Sequence, residues 1–134
     1  MATAVQQQLQ ELRHALLKLH KALVDSERVT YEQTMGAIQS PSHFLQLVTR
    51  DPWFAWLQPM SKLIVAIDEA LDEKEPLTNA GVDNFLQQTR LLLVVSEEGD
   101  GFSKHYFDAL QRDPDVVFAH AEVAKLIGPR KGPG

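Results

Sequence analysis

The stretch RDPWFAWLQP, Arg50–Pro59, sets two tryptophans, a phenylalanine and a leucine into the five positions Trp53 to Leu57, between two prolines. Asp51 can accept from the free amides of a following helical turn, and Pro52 suits its first position, where a missing N–H is not needed. The spacing predicts one helical turn from Trp53 to Leu57, stopped before Pro59 because the residue preceding a proline avoids the helical region. Trp53 and Trp56 lie three apart and share one face, while Phe54 and Leu57 share the next. A turn that is apolar on so many sides needs cover around most of its circumference. It is therefore expected to be a plug driven between the chain's other helices, with a partner surface as the alternative.

Upstream, the chain from Thr3 to about Ile38 has no proline, and its leucines fall at Leu9, Leu12, Leu16, Leu19 and Leu23. This 3-4-3-4 spacing forms one apolar edge of a helix. Extended back to Val5, the seam runs for under three heptads before Ser26 and Thr30 interrupt it, which predicts a bundle helix rather than an isolated zipper. A second line, Leu17, Val24, Tyr31 and Ile38, is expected to widen the buried face. A helix of about 35 residues is roughly 50 Å long, so it has to kink, overhang or pair with another chain.

The same capping logic continues along the chain. Ser40 and Pro41 open a short helix before the aromatic turn, and Met60, Leu63, Ile64, Ile67 and Leu71 mark an amphipathic helix after it. Thr78 caps a segment whose inward residues are Val82, Phe85, Leu86, Thr89, Leu92 and Leu93, expected to run until SEEGDG breaks it. Phe102, Tyr106, Ala109 and Leu110 set a further helix. Asp113 and Pro114 open the last one, carried by Val116, Val117, His120, Val123, Ala124 and Ile127 to Gly128. No stretch alternates in the manner of a strand. The expected fold is all-α, a compact bundle of about five to six helices with a long N-terminal helix, forming a single domain over residues 1–128 with a flexible tail at 129–134.

Composition bounds what such a bundle does. With 134 residues, 44% of them apolar, the chain suits one packed core, and the absence of cysteine removes disulfides and thiolate metal sites. A net charge of −5 disfavours nucleic acid, and the one basic cluster, Arg13, Lys18 and Lys21 with His14 and His20, is diluted by Glu11 and Asp25. The longest unbroken apolar runs, Leu63–Ile67 and Leu91–Val95, are far short of a bilayer span, and the N-terminal stretch has no signal-peptide pattern. The expectation is a cytoplasmic protein with no membrane partner.

The junction of the opening stretch returns as RDPDVVFAH, Arg112–His120, with little in common after the proline, which reads as a shared local device rather than a duplication. The blocks HFLQLVTRDPWFAWLQPMSKLIVAIDEAL and YFDALQRDPDVVFAHAEV resemble an uncharacterised family of small all-helical bacterial proteins. The resemblance, covering about Leu9 to Ile127, implies a bacterial origin and attaches no activity, cofactor or functional residue to particular positions.

Chemistry-bearing constellations are sparse. Glu11 and His14 supply one Glu-x-x-His pair, but a carboxylate-bridged metal site needs two, and none of His20, His43, His105 or His120 has a Glu three residues before it. His14 sits opposite the leucine seam and is expected to face water. The turn SEEGDGFSKHYF places Ser96 and Phe107 where a calcium loop needs its first and twelfth ligands, so it reads as an acidic turn. The run Asp68, Glu69, Asp72, Glu73 and Glu75 reads as a solvated helix end. His105 and His120, on consecutive helices, each fall on or beside the apolar face and are so placed that they could approach each other. No nucleophile-elbow or phosphate-loop motif occurs. No cofactor is expected, and the function expected is non-enzymatic: protein–protein interaction, with self-association through the long first helix or the Trp53–Leu57 turn. The alternative is a small-molecule site in an aromatic-lined pocket. The candidate interface or pocket residues are Trp53, Phe54, Trp56, Leu57, His105, Tyr106 and His120.

Overall fold

A computed structural model describes residues 3–98 and 101–128, which leaves the tail at 129–134 and Asp100 of the acidic turn outside the described residues. Six α-helices and one 3-10 turn succeed one another: α1 (Ala4–Met35), α2 (Pro41–Arg50), the 3-10 turn (Pro52–Leu57), α3 (Gln58–Asp72), α4 (Asn79–Leu92), α5 (Gly101–Arg112) and α6 (Pro114–Ile127). Among the described residues there is no strand, and no helix is long and apolar enough to cross a membrane.

The helix starts are written locally. Ser40 Oγ accepts from the His43 amide, Asp51 Oδ1 from Trp53, Thr78 Oγ1 from Gly81 and Asp113 Oδ1 from Asp115, each satisfying an amide that has no partner within its own helix. At the start of α1, Thr3 and Gln6 form a reciprocal capping box. The helix ends at Gly36, whose φ of 101° a side chain would oppose.

α1 is the strut on which the rest is laid, and its 32 residues extend about 48 Å. Its own chain covers the inward face of this helix from Leu9 to Tyr31. Arg13 pairs with Asp68 and His20 with Ser61, so α3 runs antiparallel along one side of its first half. Lys18 pairs with Glu122, while Gln7 and Glu11 lie by Lys125 and Leu126, so α6 runs antiparallel along the other. α4 contacts α1, α3 and α6 together. The second half of α1 meets the 3-10 turn and the end of α5, and Arg28 lies over the Phe44 ring of α2 at 4.7 Å. Leu9, Leu12, Leu16, Leu19 and Leu23 are all fully buried, so the seam is consumed inside the domain.

Several expectations are corrected. Leu17 of the second line is exposed, and Ile38 lies past the end of α1, although Tyr31 and Ile38 are buried. Pro59 does not stop the aromatic turn. Gln58 is helical at φ −59°, ψ −39°, and the 3-10 turn runs straight into α3, because a proline within a first turn removes an amide that had no partner anyway. α4 stops at Leu92, before SEEGDG, leaving Val94 and Val95 outside any helix. Val117 faces out rather than in.

The aromatic turn is the plug. Phe54 is fully buried, Leu57 and Trp56 nearly so, and Trp53 partly. Trp56→Ala should cost about 3 to 5 kcal/mol in a denaturant titration, from the cavity it leaves. An unchanged midpoint would mean that the turn is not structural.

Candidate functional site

The polar centre of the molecule grows out of a break in the leucine seam. Three and four residues after Leu23 come Ser26 and Glu27, which continue the inward face of α1 with a hydroxyl and a carboxylate, and both are buried. A carboxylate there is tolerable only if donors reach it. Trp53 Nε1 donates to Oε2 at 2.9 Å, Trp56 Nε1 to Oε1 at 3.1 Å, and Arg112 Nη2 to Oε1 at 3.1 Å. Arg112 Nε donates to Ser26 Oγ at 2.9 Å. The spacing that puts Trp53 and Trp56 on one face of the turn aims both indole N–H groups at one carboxylate.

From this centre a chain of ring contacts crosses to α6. Trp56 stacks on His105 at 5.1 Å and meets Phe102 at 5.3 Å; Phe102 stacks on Tyr106 at 5.5 Å, and Tyr106 meets His120 at 5.6 Å. Tyr106 Oη lies 2.5 Å from His120 Nδ1. Burial raises the tyrosine pKa and lowers that of His120, so both partners of this hydrogen bond favour their neutral forms. On the other side Tyr31 contacts Trp53 edge-on and Phe54 in a tilted arrangement.

The seven expected residues are thus brought together, but as core rather than as one open face. Phe54, Leu57 and Tyr106 are packed out of reach of solvent, and Trp56 is nearly so. His105 and His120 are at opposite ends of the ring chain instead of side by side, because α5 directs His105 toward Trp56 and Tyr106 toward α6. None of Trp53, Trp56, Tyr106 and His120, the lining of the alternative pocket, walls a described surface depression. The four surface depressions described have other walls, among them one at Gln7, Glu11, His14 and Leu126, and one at Arg13, His14 and Asp68. Sequence reasoning missed Ser26, Glu27 and Arg112. The signal was present as the interruption of the seam at Ser26, which reads equally well as the end of a buried face.

Comparison with protein-family models, curated proteins and solved structures finds no match for this chain. The site is therefore read from its own geometry, which is that of an internal tie: one carboxylate joins α1, the aromatic turn and α5.

Two consequences are measurable. Glu27→Ala leaves two indole donors and a guanidinium without their acceptor, and should cost about 3 to 5 kcal/mol in unfolding free energy; a loss under about 1 kcal/mol would show that the tie carries little. Burial also holds His20 and His120 below their ordinary value near 6.5. The unfolded chain then binds more protons, so stability present above that value is lost as pH falls through it toward the lowered folded values. Denaturant midpoints should drop as pH falls from neutral to below that ordinary value, and replacing both histidines by asparagine should flatten that drop. A double variant with the wild-type slope would assign the effect to other groups.

Proposed function

We propose that the protein is a non-enzymatic helical bundle that works by protein–protein contact, with a second copy of itself as the first partner. The buried seam of α1 and the aromatic turn are taken up inside the domain, so the contact surface has to lie elsewhere. The observation that carries the reading is the end of α4. Leu91 is 66% exposed, Val94 55% and Val95 42%, three apolar side chains within five residues. Beside them Pro59, Leu63, Leu91 and Leu92 wall a depression of about 390 Å³ between α3 and α4. Scattered single apolar residues are ordinary on a surface, whereas a grouped set beside an apolar depression fits an interface. A bacterial, cytoplasmic setting is part of the same proposal and rests on the sequence alone.

A small-molecule site among Trp53, Trp56, Tyr106 and His120 has less support, since those rings occupy one another's space.

Sedimentation equilibrium at micromolar concentration should show self-association by the unaltered chain and a monomer for Leu91→Ser with Val94→Ser. A monomeric unaltered chain rejects the self-association reading, and an equally associated double variant rejects this surface.

A further inference from the structure

The chain leaves the end of α4 as an exposed segment outside any helix, and its chemistry changes along its length. Val94 and Val95 are apolar, and Glu97 and Glu98 after them are acidic and exposed. The Ser96 amide donates to the Ser103 carbonyl of α5 at 3.3 Å, which holds the segment toward α5. The hollow between α3 and α4 lies beside it, walled by Pro59, Leu63, Gln88, Leu91 and Leu92, and neither valine is part of that wall. On α3, Lys62 comes three residues after Pro59 and next to Leu63, while Met60, Ile64 and Ile67 point into the core. The helical period therefore sets the exposed Lys62 at the outer rim of the hollow. Among the described residues no ion pair engages Lys62, Glu97 or Glu98. An apolar hollow with a cation on its rim thus adjoins an apolar segment that ends in two anions.

We propose that this hollow receives the Val94–Glu98 segment of a second copy of the chain, and that the exchange is reciprocal. Val94 of each copy enters the hollow of the other, and Glu97 and Glu98 close on Lys62 at its rim. The proposal rests on the self-association reading and specifies what joins the two copies. Segment and hollow adjoin on one face, so a twofold axis near Leu91 presents each segment to the opposite hollow, which is the self-complementary pattern of an isologous dimer. Extended chain spans about 10 Å from Val94 to Glu97, a reach that suits a lysine one helical turn beyond Pro59. Gln88 offers an amide donor and an amide acceptor to the backbone of the incoming segment. Charge complementarity selects the occupant. Two copies at −5 each repel at long range, so their association needs a local pairing of opposite charge, and the symmetric exchange supplies it on both sides of the axis.

The test is sedimentation equilibrium of the whole chain with its charges reversed. Lys62→Glu alone, and Glu97→Lys with Glu98→Lys, should each weaken self-association at least about tenfold, because each reversal sets like charges together on both sides of the axis. An equal mixture of the two altered chains should associate as the unaltered chain does, since every segment then meets an opposite charge on its partner. All three positions are exposed, and far-UV circular dichroism checks that each variant keeps its helices. A monomeric unaltered chain overturns this proposal together with the reading it rests on. Association that charge reversal leaves unchanged overturns this arrangement alone and leaves self-association standing. Altered chains that stay apart on mixing also overturn it, because the charges then do not meet across the axis.

Discussion

A carboxylate buried on the inward face of the longest helix sets the terms for half of this molecule. Glu27 cannot sit there without donors, and those it finds come from two other elements: both indoles of the 3-10 turn and the guanidinium that ends α5. Each bond to a charged acceptor is stronger than a neutral one, and each also fixes a direction. Two indoles on one carboxylate set the rotation of the turn about its axis, which decides that Phe54 and Leu57 point into the core. Arg112 then fixes where α5 ends, and Asp113 and Pro114 start α6 from that point.

The other half of the fold depends on length. α1 is long enough to need cover along two segments, and the chain supplies it with different materials. Over the first segment the cover is aliphatic, from α3, α4 and α6, with ion pairs at the edges from Arg13 to Asp68 and from Lys18 to Glu122. Those pairs are exposed and add little stability, but they mark the antiparallel register of α1 with its neighbours. Over the second segment the cover is aromatic and polar. The change of material falls where the leucine seam gives way to Ser26 and Glu27.

The two Arg-Asp-Pro junctions show how one local device serves two ends. In both, the arginine closes a helix, the aspartate caps the next helical element and the proline takes that element's first position. Arg112 reaches a buried carboxylate, whereas Arg50 is exposed at the end of α2. The tripeptide therefore specifies a corner, and its surroundings specify whether the arginine becomes part of the interior.

What the sequence determined by itself is what depends on neighbours in the chain. Helix starts at Ser40, Asp51, Thr78 and Asp113 arise from side chains that reach amides two or three residues away, and the buried faces of α1, α3 and α4 arise from the 3.6-residue period. All-α architecture comes from the same local rules, whereas the choice between plug and partner surface for Trp53–Leu57 was open in the sequence and was decided by burial in the fold. The site was legible only in part. Two tryptophans three residues apart announce a shared face, but no pattern in one chain says that their N–H groups converge on a carboxylate 26 and 29 positions earlier, or that an arginine 85 positions later joins them. Tertiary structure decided these pairings and the separation of His105 from His120, because each depends on which surfaces face one another once the core has closed. A buried polar group takes its partner from across the fold, and its own helix says only that one is needed.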